Sequence, residues 1–343
     1  MTTQDWAAVV GALIVSLFAP IAIRPVLLKL RMIDVPNSRS SHTQPVLRGA
    51  GVAPLLGFLV GITITLIAGG RVDGSKQLLV VLLTSLAVSL VGLLEDMRGV
   101  RVTARAGLQF LIGAIATSTL AIVYHAPWWW VPIGALVFVC YTNAANFMDG
   151  INGLSGLHGA AVGLALGVVG ILTNVRWLAP AGFVLAASFL AFLPWNLTRG
   201  RIFLGDVGSY LLGGSIGVTV IAAVLEGVPI AAVVAPMSIY LTDTGATLVR
   251  RVLRGERWHE AHRMHVYQRL ADSGLSHITV ASIVTVATLL TAGLGLFSLS
   301  ESIAESLAAV CGVVIVVALY LALPRLHDSM RTVRTPVAEE RKS

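Results

Sequence analysis

The chain has 343 residues, of which 56% are hydrophobic and only 12% are charged, and its formal net charge is +7. Soluble domains carry about twice this charged fraction, so the composition excludes a soluble globular protein and predicts a membrane protein. The two cysteines are too few for a disulfide framework or a thiolate metal site. Because Cys140 and Cys311 both lie in apolar runs, we expect them to pack inside the protein.

Apolar runs of roughly 20 residues, the length that crosses a bilayer as a helix, can be placed eleven times along the chain. The predicted spans are 6–23, 50–69, 77–94, 106–123, 128–145, 154–173, 177–196, 209–224, 228–249, 276–298 and 304–323. With the N-terminus outside, the inner segments hold 21 of the 24 Lys and Arg residues. This positive-inside bias predicts an N-out, C-in topology.

We therefore expect an all-α polytopic membrane protein, a bundle of about 11 transmembrane helices with its active site in cytoplasmic loops. Residues 1–343 form a single transmembrane domain, with a basic cytoplasmic tail at 324–343. Contact with anionic membrane lipids accounts for the net positive charge, which therefore requires no nucleic-acid partner. Four aspartates emerge on the cytoplasmic side in this topology: Asp96, Asp149, Asp206 and Asp243. Carboxylates at a membrane boundary are costly unless hydrated, paired or bound to a cation.

The first cytoplasmic loop combines cationic side chains with proline and glycine. Arg39, His42 and Arg48 can donate to an anion, and Gly49 and Gly51 permit close approach of the backbone. Arginine matches the geometry of phosphate oxygens, so the loop is a candidate phosphate site. The alternative is an ordinary basic loop next to the membrane, which would explain the arginines but not the His, Pro and Gly residues.

The second loop begins with the adjacent acids Glu95 and Asp96 and continues to Arg105. Two neighbouring carboxylates can share a divalent cation, or one can act as a base while the metal holds the other. Alternatively, both acids form surface ion pairs with Arg98 and Arg101. The residues themselves do not decide between these interpretations.

The third motif contains Asn143, Asn146, Asp149 and Asn152. The first two asparagines share a helix face because they lie three residues apart, and Asp149-Gly150 then ends that helix. Amides beside a carboxylate can bind a sugar or a nucleotide. A helix–turn–helix connection with Asp149 as N-cap is the alternative, but it does not explain asparagines within an apolar span.

In the fourth motif Asp206 stands between two glycines directly before a span. This turn can direct a carboxylate and backbone amides at a magnesium–phosphate pair. The alternative is that Asp206 caps the next helix. Asp243 lies inside the ninth span, where it is either a substrate-binding or supporting carboxylate or the partner of a buried arginine.

The last cytoplasmic loop contains Arg263 and His265, which favour an anionic substrate. A zinc site at His259 and His262 is disfavoured because no third ligand is evident.

Taken in order over residues 34–270, these motifs resemble the polyprenyl-phosphate N-acetylhexosamine-1-phosphate transferase superfamily, glycosyltransferase family 4, with its MraY-type and WecA-type enzymes. Glu95-Asp96 matches the adjacent aspartate pair of the family, and Arg105 matches a basic residue linked to phosphate binding. The Asn-x-x-Asn-x-x-Asp-Gly motif of the family is matched by Asn143, Asn146 and Asp149. Asp206 matches the magnesium-binding aspartate, and Arg263 with His265 matches the Arg-x-His core of the last cytoplasmic motif. Glu95 departs from the family aspartate. Tyr267 and Gln268 stand where histidines are frequent, which points to the WbpL-like, O-antigen-initiating branch.

The resemblance implies transfer of N-acetylhexosamine 1-phosphate from a UDP-sugar to undecaprenyl phosphate in the bacterial inner membrane. The reaction releases UMP and starts a lipid-linked glycan such as O-antigen. The implied cofactor of the transfer is Mg²⁺, with Mn²⁺ as an alternative. The implied catalytic residues are Asp96, Glu95 and Asp149, and the metal ligands are Asp206 and Asp96. The implied substrate-binding residues are Arg39, His42, Arg48, Arg105, Asn143, Asn146, Asn152, Asp243, Arg263 and His265. A homodimer is left open.

Two other functions stay open at this stage. In an ion-coupled secondary transporter the acids would bind coupling cations, although such proteins often show internal repeats and midplane sites, which this sequence does not. A non-catalytic protein that binds lipid-linked glycan is the second alternative; retention of Asp96 and Asp206 argues against it, whereas Glu95 keeps it open.

Overall fold

The computed structural model describes residues 1–34, 45–68, 74–197, 202–256, 264–300 and 302–334. Long helices dominate the described residues. They are α1 (Thr3–Lys29), α2 (Val52–Ala68), α3 (Ser75–Arg98), α4 (Val102–Val123), α5 (Trp130–Met148), α6 (Leu154–Leu172), α7 (Leu178–Leu197), α8 (Gly205–Leu225), α9 (Ile230–Val234), α10 (Ser238–Leu253), α11 (Val266–Asp272), α12 (His277–Leu296) and α13 (Ile303–Arg334). A short ladder of β1 (Ile33–Asp34) and β2 (Val46–Leu47) precedes α2.

The predicted spans coincide with these helices, which confirms the all-α polytopic fold. Among the described residues, ten helices are long and apolar enough to cross a membrane, and α2 is a shorter apolar helix. The ninth predicted span is interrupted, because a 3₁₀ turn at Ala235–Met237 separates α9 from α10. Pro236, which lies in this turn, lacks the N–H that a regular helix requires. The N-out, C-in orientation and the number of crossings stay predictions.

Helix α8 is the centre of the bundle, and nearly all of its residues are buried. Its apolar stretch is 94% buried, against 11% for α13 at the periphery. Glycines make this possible, because small residues let neighbouring helix backbones approach closely. A Cβ at Gly213 would meet the backbone of Thr142 on α5, and one at Gly214 would meet Val88 on α3.

Two expectations require correction or adjustment. Cys140 and Cys311 are exposed on the surface of the bundle, so the prediction that they pack inside was wrong. An apolar run that crosses a membrane has a lipid-facing side as well as a packed side, and hydrophobicity alone does not separate them. Helix α13 continues through Pro324 to Arg334, so the first part of the predicted tail is helical.

The short strands connect two distant parts of the chain at the start of α2 and α8. β1 and β2 pair antiparallel, with Ile33 opposite Leu47. Leu47 also forms a parallel bridge with Ile202, and the Phe203 N–H donates to the Leu47 carbonyl at 2.7 Å. The segments preceding α2 and α8 are thereby held side by side, although the sequence predicted both only as loops.

Candidate active site

Glycines allow the first turn of α8 to approach α2 and α3 closely. A Cβ at Gly92 would collide with the Asp206 carbonyl, and one at Gly51 would collide with the Gly208 backbone. Gly205 has a φ of +72°, and a Cβ there would lie 2.7 Å from an Asp96 carboxylate oxygen. The glycines around Asp206 therefore serve close backbone packing as well as the turn.

The Asp96 side chain of α3 caps the N-terminus of α8. Its Oδ1 accepts a hydrogen bond from the Asp206 N–H and its Oδ2 accepts one from the Val207 N–H, each at 2.9 Å. The side chain is fully buried. Because helix N-termini attract negative charge, this contact is favourable. The alternative interpretation, in which Asp206 itself caps α8, is wrong, and the Asp206 carboxylate stays available for other partners.

Two arginines lie between the carboxylates of the site. Arg48 Nε lies 2.6 Å from Asp96 Oδ1, and its Nη2 lies 3.1 Å from Asp206 Oδ1. Arg105 Nη1 lies 3.1 Å from Glu95 Oε1 and 3.7 Å from Asp206 Oδ2. Among the described contacts, Asp96 thus pairs with Arg48 and Glu95 with Arg105. The alternative interpretation, in which both acids pair with Arg98 and Arg101, named the wrong arginines.

The guanidinium of Arg48 is firmly charged. Burial lowers its pKa, but the negative charges of Asp206, Asp96 and Asp34 outweigh that effect, and its pKa is raised overall. Arg48 therefore supplies a permanent positive charge beside two carboxylates.

The two asparagines of α5 have different partners. Asn146 Nδ2 donates to Asp206 Oδ1 at 2.8 Å and to Ser209 Oγ at 3.0 Å, so it belongs to the same cluster. Asn143 Nδ2 donates instead to Gln109 Oε1 on α4 at 2.6 Å and to its own helix. The structure thus brings Asn146 to Asp206 and uses Asn143 to join α5 to α4.

Asp149 ends α5 and lies near the same charges. Its Oδ1 accepts a hydrogen bond from Ser155 Oγ at 2.6 Å. Burial raises its pKa to about 8, and the negative charges of Asp206 and Asp96 contribute to the increase. Asp149 is the C-cap of α5 and not an N-cap. Asn152 lies half-buried in the following turn.

Asp243 and His265 form a second polar cluster. The Val266 N–H donates to Asp243 Oδ1 at 2.8 Å, and the Tyr267 N–H and the Tyr320 hydroxyl donate to Oδ2 at 3.4 Å and 2.7 Å. His265 Nδ1 lies 3.4 Å from Oδ1. Asp243 is fully buried and holds the start of α11, so the structure places it in a supporting position; direct contact with substrate stays a prediction.

Among the described contacts, the buried Arg251 pairs with Glu256 at 3.0 Å, and the pairing of Asp243 with a buried arginine stays a prediction.

Several predicted residues lie outside the described part of the chain: Arg39, His42, His259, His262 and Arg263. Conversely, Gln109, Ser155 and Ser209 contact the predicted residues and were missed. Single serine and glutamine residues carry no motif, and only the fold brings them to the site.

The clustered charges suit a phosphate reaction. Asp96, Asp206 and Glu95 are carboxylates, while Arg48 and Arg105 are the donors that match phosphate oxygens. In the described residues no group of three or more His, Cys, Asp and Glu side chains converges as a metal cage. Magnesium does not need such a cage, because it is usually bound by one or two carboxylates together with substrate phosphates and water.

Comparison with known proteins places this arrangement in a family context. The sequence model described as "Glycosyl transferase family 4" matches residues 78–224. A "Probable undecaprenyl-phosphate N-acetylglucosaminyl 1-phosphate transferase" of Bacillus subtilis is 27% identical over 297 residues, covering 81% of each chain. A "Decaprenyl-phosphate N-acetylglucosaminephosphotransferase" of Mycobacterium tuberculosis H37Rv is 27% identical over 371 residues, covering 93% of this chain and 89% of the relative.

A relative with a different printed activity matches over a shorter stretch. A "Phospho-N-acetylmuramoyl-pentapeptide-transferase" of Moorella thermoacetica is 29% identical over 219 residues, covering 56% of this chain and 68% of the relative. The matched region of the family model contains Asp96, Asn146 and Asp206.

Proposed function

Because the chain belongs to the polyprenyl-phosphate N-acetylhexosamine-1-phosphate transferase superfamily, we propose that it transfers N-acetylhexosamine 1-phosphate from a UDP-sugar to a polyprenyl phosphate and releases UMP. The acceptor in this proposal is undecaprenyl phosphate in the bacterial inner membrane. The product starts a lipid-linked glycan, and the positions of Tyr267 and Gln268 favour an O-antigen-initiating enzyme of the WbpL-like branch.

One observation carries the proposal. The carboxylates of Asp96 and Asp206 come from different helices and are bridged by Arg48, with Arg105 on the other side of Asp206. Donor and acceptor are both phosphate anions that repel each other, so a site for their reaction needs positive charge. The same site needs carboxylates if a divalent cation is to bind.

The residues around Asp206 fit magnesium. The Asp206 side chain is 12% exposed, unlike the fully buried Asp96 side chain. Asn146 Nδ2 donates both to Asp206 Oδ1 and to Ser209 Oγ, so the serine hydroxyl lies near the carboxylate. These are oxygen donors of the kind that Mg²⁺ prefers, and Mn²⁺ accepts similar ligands. We assign Asp206 as the principal ligand, with Asp96 supporting it from behind through the α8 amides. Bound magnesium would reduce the repulsion between the two anions and polarise the pyrophosphate.

The chain's own residues orient the two anions. In the transfer, an oxygen of the lipid phosphate bonds to the sugar-linked phosphorus of the UDP-sugar. The bond from that phosphorus to the bridging oxygen breaks, and UMP leaves. Arg48 and Arg105 bind phosphate oxygens in this proposal, and Asn146 holds Asp206 in place. The Asp149 carboxyl, whose pKa burial raises to about 8, contacts the nucleotide-sugar in this proposal.

The experiment incubates the purified protein with undecaprenyl phosphate, Mg²⁺ and a panel of UDP-sugars, and measures UMP and lipid-linked product. We expect UMP release with at least one UDP-N-acetylhexosamine and none without the lipid phosphate. Chelation with EDTA stops turnover, and added Mg²⁺ restores it.

The matched variants are Asp206→Asn and Asp5→Asn. The second removes a carboxylate in the first turn of α1 and leaves turnover unchanged, while the first lowers it by about 100-fold or more, as expected for a lost electrostatic contact in a reaction centre. Full activity of Asp206→Asn would disprove the metal assignment. Absence of UMP with every sugar, with glycan binding or ion flux instead, would overturn the enzymatic proposal.

A further inference from the structure

A short helix outside the charge cluster makes contact with the turn that contains Asp149. Helix α11 begins directly after the last cytoplasmic loop, and its first two amides are held by Asp243 of α10. Tyr320 of α13 donates to the same carboxylate at 2.7 Å. Asp243, Tyr267 and Tyr320 are all at most 2% exposed, so α11 is fixed from two sides.

Tyr267 connects this fixed helix to the Asp149 turn. Its hydroxyl donates to the Phe147 carbonyl at 2.9 Å, in the last turn of α5. The same hydroxyl lies so close to Gly150 that a Cβ there would collide with it. Tyr267 therefore contacts Phe147, two residues before Asp149, through a hydrogen bond, and Gly150, directly after Asp149, through a steric contact.

The close contact with the Tyr267 hydroxyl explains why position 150 has a glycine. Because glycine has no Cβ, Gly150 leaves room for the hydroxyl of Tyr267. The Asp149 carboxylate itself is oriented from the other side by Ser155 at 2.6 Å. The backbone and the side chain of Asp149 are thus positioned independently.

We infer that Tyr267 is a positioning residue for the transfer reaction, and that it holds the Asp149–Gly150 turn in place with Asp243 and Tyr320 as its supports. This inference rests on the proposed function. Tyr267 acts through the turn, which it contacts at Phe147 and Gly150. The same network gives α13, which lies outside the matched family region, a mechanical connection to the site.

The first test compares Tyr267→Phe with Tyr141→Phe in steady-state kinetics. Both variants lose a buried hydroxyl near α5; that of Tyr141 contacts His158 Nε2 at 2.9 Å. We expect Tyr267→Phe to lower kcat by about 10- to 100-fold, because small displacements of reacting groups are costly. KM for undecaprenyl phosphate and the apparent Tm remain close to wild type. Tyr141→Phe leaves kcat unchanged, and Tyr320→Phe gives a smaller loss because Asp243 keeps its backbone partners.

The second test uses the steric contact. Gly150→Ala forces a collision with the Tyr267 hydroxyl, so this variant loses activity. The double variant Gly150→Ala/Tyr267→Phe removes the colliding oxygen and is expected to be more active than Gly150→Ala alone.

The outcomes separate the two proposals. If the wild-type protein releases no UMP, the proposed function fails. If the wild type turns over but Tyr267→Phe has unchanged kcat, or the double variant is no better than Gly150→Ala, this inference alone is overturned. An equal decrease of kcat in Tyr141→Phe would also overturn it, because any buried hydroxyl would then have the same effect.

Discussion

The carboxyl group of Asp149 gives a prediction about stability and pH. Its pKa is raised to about 8 by burial, with the nearby charges of Asp206 and Asp96 adding to the effect, whereas an unfolded aspartate has a pKa of about 3.9. Between these values the folded protein keeps a proton that the unfolded chain releases. The free energy of unfolding therefore falls as pH rises, by at most about 1.4 kcal/mol per pH unit.

Asp149→Asn removes this dependence, because the amide does not titrate. We expect the apparent Tm of the variant to exceed that of the wild type by a margin that grows from pH 5 to pH 8. Thermal unfolding of the two detergent-solubilised proteins over this range measures the margin. A margin that does not change with pH would show that the carboxyl titrates normally.

The adjacent acids of α3 are predicted to have unequal importance. Asp96 is fully buried and accepts two amides of α8, while the Glu95 side chain is 17% exposed and pairs with Arg105. Asp96→Asn places an N–H group against these amides and leaves Arg48 without its 2.6 Å partner. The Arg48 side chain is 34% exposed, so water partly compensates its lost partner, but the buried α8 amides lose a charged acceptor. We therefore expect loss of both stability and activity.

Glu95→Gln is the matched variant, because it also neutralises one carboxyl on the same turn of α3. We expect it to retain more stability than Asp96→Asn, since Arg105 keeps Asp206 as a partner at 3.7 Å. Thermal unfolding and UMP release measure the two variants side by side. Equal losses would contradict the distinct contacts of the two acids.

At the scale of elements, the crossing of α3 and α8 determines where Asp206 lies. Gly92 faces the Asp206 carbonyl so closely that a Cβ would collide with it. Gly92→Ala must therefore separate the two helices at the site, at a cost of about 1–3 kcal/mol for an overpacked core. We expect a lower Tm and loss of turnover.

Gly107→Ala is the control for this prediction. Gly107 lies on α4, and among the described atoms none lies within 4 Å of a Cβ placed there. Replacing a helical glycine by alanine stabilises a helix by up to about 1 kcal/mol, so this variant keeps its turnover and does not lower Tm. If Gly92→Ala behaves like Gly107→Ala, the close crossing is not required for the site.

How far the sequence predicted these elements depends on the range of the interactions. Hydrophobic runs are local and gave the helices of the bundle, and the Asp149-Gly150 break was correctly predicted at the end of α5. The partners of Asp96 and Asp206 were not predictable, because Arg48 and the α8 amides reach them only after α2, α3 and α8 pack together. The hydrogen bonds by which Asp243 holds the start of α11 were not predictable for the same reason, because its partners are 23, 24 and 77 residues away.

At the scale of the whole molecule, α2 determines the sidedness of the termini. It has 17 residues, about 26 Å at 1.5 Å per residue, which is slightly less than the hydrocarbon thickness of about 30 Å. If α2 crosses, the described residues contain eleven spans, an odd number that places the termini on opposite sides. If α2 does not cross, the ten remaining spans among the described residues place them on the same side. The packing of α2 favours crossing, since Phe58 and Ile62 are buried against the rest of the bundle.

We therefore predict that the N-terminus is outside and the C-terminus is in the cytoplasm. In a background with Cys140 and Cys311 replaced by alanine, single cysteines at Thr2 and Ser343 are labelled with a membrane-impermeant maleimide in spheroplasts. Thr2→Cys reacts in intact spheroplasts, whereas Ser343→Cys reacts only after permeabilisation. A third cysteine at Glu226, which accepts hydrogen bonds from Tyr124 and Trp177 at the opposite end of α8 from Asp206, reacts like Thr2. Labelling of both termini from the same side would exclude α2 as a span. One terminus would then lie on the side opposite to that predicted.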